Sequence, residues 1–140
     1  MRVYDAFETS DKLINEGRSC EIEFGGKVIA TVQVRPADAA LNPDYRRELA
    51  EMTIGLKGNG LDSIDEALDR ELLYRIYART VLKGWKWTDP ADKKDPKLRF
   101  SEKNVVALFK RVPKFFQGVQ RVAVVWSNYR VAHEEDAAGN

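Results

Sequence analysis

The feature that most constrains this chain is a pair of alternating stretches meeting at two glycines. Between Ser19 and Phe24 the residues Cys20, Ile22 and Phe24 share one face, with Glu21 and Glu23 on the other. Val28, Ala30, Val32 and Val34 then alternate again, mixed with Lys27, Thr31 and Gln33. Strand side chains point to opposite faces with a period of two, so each stretch reads as a half-buried strand. Gly25-Gly26 supplies the positive φ angles of a two-residue turn. A β-hairpin with one apolar face must be covered by something else in the chain.

The remainder supplies helices for that cover. Residues 1–18 are polar apart from a possible helical turn at Ser10–Glu16, which Gly17 stops. After Arg35-Pro36, the pair Asn42-Pro43 places a capping side chain before a proline at the first helical position. Tyr45, Leu49 and Met52 form the stripe of a helix expected to run to about Ile54, and Gly55, Gly58 and Gly60 are expected to break it into a hinge. Ser63-x-x-Glu66 is a capping box, opening a helix whose stripe is Leu68, Leu72, Leu73, Ile76, Tyr77 and Val81 and whose expected stop is Lys83-Gly84. Trp85–Arg99 reads as a charged, proline-bearing loop. Ser101 caps the next helix, with Phe100 and Val105 as a staple across the cap, and Val105, Leu108, Phe109 and Val112 form its stripe. Pro113 forces a bend. Phe115, Val119, Val122, Trp126 and Tyr129 then read as the seam of one last helix, before an acidic tail from His133 to Asn140 that should fray.

With 140 residues, 44% of them hydrophobic, the whole chain fits a single domain. The expected fold is therefore α+β: an N-terminal hairpin within residues 1–36, about four α-helices across 42–132, and a tail at 133–140.

Several function classes are disfavoured. Lys plus Arg number 23 against 22 Asp plus Glu, a net charge of +1, so the cationic surplus that displaces phosphate counterions is missing and nucleic acid is not an expected partner. Cys20 is the sole cysteine, and the N-terminus lacks the apolar core of a secretory signal. No apolar run approaches the roughly 20 residues needed to span a bilayer, so no membrane is expected. His133 sits in the tail beside Glu134 and Glu135, away from any nucleophile, and one His with one Cys cannot close a zinc shell. Asp62, Asp65, Glu66 and Asp69 are explained by helix N-terminal charge, though their face could meet a basic partner. The run Gly55–Gly60 lacks the Lys-Ser/Thr ending of a phosphate loop. Lys93, Lys94, Lys97 and Arg99 are offset by Asp89, Asp92 and Asp95. The expectation is a protein without catalytic residues, metal or cofactor.

Aromatic rings are the sharper signal. Phe115 and Phe116 are neighbours about 100° apart on a helix, so one of them is expected at the surface, with Trp87 in the loop. Trp85, Trp87, Phe115, Phe116, Trp126 and Tyr129 are the candidate partner-binding set, because exposed rings on a small protein mark partner surfaces.

Three stretches carry a family likeness: Asn42-Pro43-Asp44-Tyr45-Arg46, then Tyr77-Ala78-Arg79-Thr80-Val81-Leu82-Lys83-Gly84-Trp85, then Phe100-Ser101-Glu102-Lys103-Asn104 followed by Leu108 and Val112-Pro113. In this order they resemble the tail assembly chaperone family of siphophages. The segment Asp89–Leu98 departs from that family in being more basic and proline-rich. The resemblance implies a phage or prophage protein acting in the host cytoplasm, absent from the mature virion. Its implied partners are the tape-measure protein and the major tail (tube) protein, with self-association possible. It also implies a longer product made by ribosomal frameshifting near the end of the short one. A second class fits the residues as well, a structural head–tail connector or tail-completion protein, which would remain in the particle.

Overall fold

The computed structural model describes residues 1–57 and 66–134. Its α-helices are α1 (Val3–Phe7), α2 (Asp11–Glu16), α3 (Pro43–Lys57), α4 (Glu66–Thr80), α5 (Pro90–Lys94), α6 (Glu102–Arg111) and α7 (Pro113–Ala123). Its strands are β1 (Arg18–Phe24), β2 (Lys27–Val34) and β3 (Leu82–Trp87), and short 3-10 turns occupy Pro96–Leu98, Trp126–Tyr129 and Val131–His133. The fold is α+β in one small domain, as the hairpin and helical stripes predict.

The hairpin forms as expected, antiparallel, with Gly25 and Gly26 at φ of 60° and 78° in its turn. Phe24 nevertheless stands at the hairpin tip, 81% exposed, instead of on the covered face. The strand order is β1-β2-β3, so the hairpin acquires a third strand where the sequence predicts the end of a helix and the start of a loop. Helix α4 stops at Thr80, earlier than Lys83-Gly84. Thr80 Oγ1 donates back to the Ile76 carbonyl at 2.7 Å, and Arg35 N donates to the Val81 carbonyl at 2.7 Å, so the chain turns straight into pairing with β2. Trp85 then lies opposite Val32 and Trp87 opposite Ala30. The segment after β3 is also ordered, with Asp89 capping α5 through Ala91 N and Asp95 capping the following turn through Lys97 N.

Asn42 and Ser101 cap α3 and α6 as predicted, through Tyr45 N at 3.1 Å and Asn104 N at 3.2 Å. Helix α3 continues past Gly55 to Lys57. Residues 58–65, which hold most of the expected hinge, and the side chains of Asp62, Ser63, Asp65, Glu66 and Asp69 lie outside the described residues. The tail beyond Glu134 does too.

The core lies between one sheet face and the helices. Ala30, Val32 and Val34 of β2 are buried against Tyr74 and Tyr77 of α4, Val81 just after it, Val105 and Phe109 of α6, and Phe116 and Val119 of α7. Burial of such side chains, at about 25 cal/mol per Å² of apolar surface, is what holds the layers together. Arg79 ties the layer from outside, pairing with Glu48 of α3 at 3.2 Å and with Glu102 of α6, and Lys110 meets Glu71 at 2.7 Å. Such exposed pairs add little stability, because solvent screens them.

A smaller cluster of Leu13, Ile14 and Tyr129, with Leu41 against it, joins the two ends of the chain. Helix α7 does not run on to Tyr129. It ends at Ala123, and the Trp126–Tyr129 turn follows, so the expected single seam is two elements.

Candidate docking surface

The chain ends build a frame that the sequence did not announce. Thr9 bridges Arg130, Ser10 N donates to the Tyr129 carbonyl at 2.7 Å, and Val131 N donates to the Glu8 carbonyl at 3.0 Å. Arg130 Nη2 reaches the Asp5 carbonyl at 2.9 Å, and Ser10 Oγ donates to Glu134. Arg18 Nη1 donates to both the backbone and the side-chain oxygen of Asn128 at 3.0 Å, while Asn128 Nδ2 donates to the Val122 carbonyl at 3.0 Å. Tyr129 is fully buried below, its hydroxyl donating to the Val34 carbonyl at 2.9 Å. Burial raises that phenol well above its ordinary pKa, so it stays a neutral donor.

On this frame Phe7 and Trp126 stack, with ring centroids 5.8 Å apart and planes 14° from parallel. Both remain open to solvent, at 62% and 38% exposure. Val3 and Tyr4 precede Phe7 by four and three residues, so they share its side of α1. Val124, Val125 and Val131 flank Trp126 in the chain and are exposed as well. These exposed apolar side chains sit along α1 and in the chain around Trp126, on backbone fixed by the hydrogen bonds above. Helix α1 itself buries no residue and has no side-chain cap, which is why no local pattern revealed it.

The other predicted rings have different places. Phe115 and Phe116 are both buried, at 8% and 6% exposure, so the expectation that one faces solvent is corrected. Helix α7 sits in a corner with two walls. Phe115 stacks on Trp87 of β3 at 5.5 Å, and Phe116 meets Tyr74 at 4.8 Å and Tyr77 at 4.9 Å on α4. Adjacent residues 100° apart are thereby covered from two directions. Trp85 and Trp87 are half-buried, and both indole N–H groups donate to the Leu98 carbonyl, at 2.8 and 3.2 Å. Phe100 closes edge-on over Trp85 at 5.3 Å. Of the predicted set, Trp126 lies on the exposed patch, Trp85 and Trp87 form a separate half-covered cluster, and Phe115, Phe116 and Tyr129 lie inside.

No group of three or more His, Cys, Asp or Glu side chains among the described residues could hold a metal ion. No helix among them is long and apolar enough to cross a membrane. Burial raises the Cys20 thiol above its ordinary pKa, the reverse of what activates a nucleophile.

A family model described as YdaY prophage protein matches residues 40–140. The chain belongs to the YdaY prophage protein family. The match takes in everything from just before α3 onward, Trp126 included, and leaves out α1, α2 and the hairpin. The Phe7–Trp126 stack therefore joins a residue outside the matched span to one within it. No curated protein and no solved structure matches the chain.

Proposed function

We propose that this YdaY-family protein is a non-enzymatic tail assembly chaperone that holds an apolar helical stretch of the tape-measure protein on the surface around Phe7 and Trp126. The observation that carries the reading is that exposed stacked pair, flanked by Val3, Tyr4, Val124, Val125 and Val131 on a hydrogen-bonded frame. An amphipathic helix laid on such a surface buries its stripe against the rings, and truncating an aromatic anchor of this kind typically costs more than about 1 kcal/mol of binding. Prophage membership supports the phage setting, and the resemblance at residues 42–46, 77–85 and 100–113 supports the tail role. Covering the tape measure keeps it soluble until tail-tube subunits bind it more favourably, whereupon the chaperone leaves in the host cytoplasm.

Co-expression with the tape-measure protein of the same prophage tests this reading. The expected result is a soluble complex that Trp126→Ala weakens, with the protein missing from purified particles by mass spectrometry. A tape measure that stays insoluble, with no complex, contradicts the proposal. Ring-stoichiometric presence in the particle would instead assign a head–tail connector.

A further inference from the structure

We propose that the free edge of β1 is a strand-addition site for an extended peptide in which basic and apolar residues alternate. Strand β1 pairs with β2 alone, and among the described residues no backbone hydrogen bond from 18–24 goes elsewhere. None of its residues is buried, whereas Ala30, Val32 and Val34 of β2 are. An open edge presents a row of unpaired N–H and C=O groups, and natural proteins blunt such rows with charged side chains, lysine above all, and with proline, bulges or a covering segment.

Of these, strand β1 has only charge, in Arg18, Glu21 and Glu23. It runs seven residues without Pro or Lys. The register irregularity near Ile22 takes its extra residue, Ile29, from β2, so Arg18–Ile22 stays regular. The opposite edge of the sheet is protected in just these ways. Lys83 is the extra residue of a bulge there, Lys86 is exposed, and the bonds from Trp85 and Trp87 to the Leu98 carbonyl hold residues 96–98 nearby.

Side-chain chemistry along β1 selects the occupant. Glu21 and Glu23 project from the outer face, both exposed, and neither forms an ion pair among the described residues. Thr31 stands between Glu21 and Lys86 in the cross-strand row. That puts Glu21 and Lys86 two strand spacings apart, about 10 Å, which is beyond pairing distance. Cys20 and Ile22 face inward, half-exposed, against the core cluster. A strand laid beside β1 would therefore set cations next to Glu21 and Glu23, and apolar residues next to Cys20 and Ile22. A second copy is the poorer occupant. Antiparallel pairing of two β1 edges sets their glutamates near one another, and the β3 edge is already obstructed.

The probe is a nine-residue peptide alternating lysine or arginine with valine, added to the full chain, beside a control with glutamate replacing every cation. Amide hydrogen exchange should show protection of residues within 18–22 by the basic peptide, weakened by salt. Glu21→Lys with Glu23→Lys should weaken that binding about tenfold and favour the glutamate peptide instead. Glu21→Gln with Glu23→Gln, which leaves the strand polar, should give an intermediate loss, and Trp126→Ala no change. Absence of protection in β1, equal binding of both peptides, indifference to charge reversal, or β1-mediated dimers in the absence of peptide would each overturn the proposal.

Discussion

Replacing Asn42 with alanine should be among the most damaging single polar changes in this protein. Asn42 is fully buried, and its side chain makes three bonds to three parts of the fold. Its Oδ1 accepts from Tyr45 N at 3.1 Å, capping α3, while Nδ2 donates to the Pro36 carbonyl at 3.0 Å and the Thr80 carbonyl at 2.9 Å. The lost cap costs about 1 kcal/mol. Each stranded buried carbonyl adds about 1 kcal/mol or more. The sum is about 3 kcal/mol, a large part of the roughly 5–15 kcal/mol by which a domain is stable. At about 3 °C per kcal/mol for a chain of this size, the melting temperature should drop by about 10 °C. Urea denaturation followed by circular dichroism measures the change. Asn42→Asp separates the components, because it keeps the cap acceptor and loses both donors, so it should recover little. A loss below about 1 kcal/mol for the alanine variant, or near-wild-type stability for Asn42→Asp, would refute the bridging role.

Other consequences are equally open to measurement. Tyr129→Phe strands the Val34 carbonyl and should cost about 1–2 kcal/mol in the same assay, without changing partner affinity. Gly17→Ala should cost about 2 kcal/mol, because φ is +89° there and a Cβ would meet the backbone of Val34 at 3.1 Å. Asp44 has its pKa lowered chiefly by the hydrogen bond from Arg35, whose buried guanidinium also donates to the Ile14 carbonyl at 2.8 Å. A depressed folded-state value stabilises above the unfolded one, near 3.8, and that contribution is lost as pH falls through the folded value. Asp44→Asn should flatten the stability loss below about pH 4, modestly because Asp44 is half-exposed; an unchanged acid slope would contradict the pairing.

What the sequence made legible was local. The Gly25-Gly26 turn, the caps at Asn42 and Ser101 and the break at Pro113 each rest on neighbours in the chain, and each forms as read. Strand β3 was missed because Trp85-Lys86-Trp87 offers only a brief alternation before a run of Asp, Lys and Pro, and its reason for existing is the open edge of β2. The second and third bonds of Asn42, and those of Arg35 to Ile14 and Asp44, span distant segments and leave no periodic trace. The candidate surface was half legible. Trp126 was singled out by its ring, but Phe7 gains meaning only once the backbone of residues 8–10 pairs with that of 129–131. Phe115 and Phe116 misled because helical angle alone does not reveal that two walls flank α7.

In the proposed function, the stacked pair of Phe7 and Trp126 holds an apolar partner helix. The most direct test is the affinity of purified tape-measure segments for the full chain and for the Phe7→Ser/Trp126→Ser variant, read by isothermal titration. An apolar helical segment should bind, and the double variant should weaken that binding at least about tenfold while remaining folded. Undiminished affinity in the folded double variant, or no binding by the wild-type chain, would contradict that proposal.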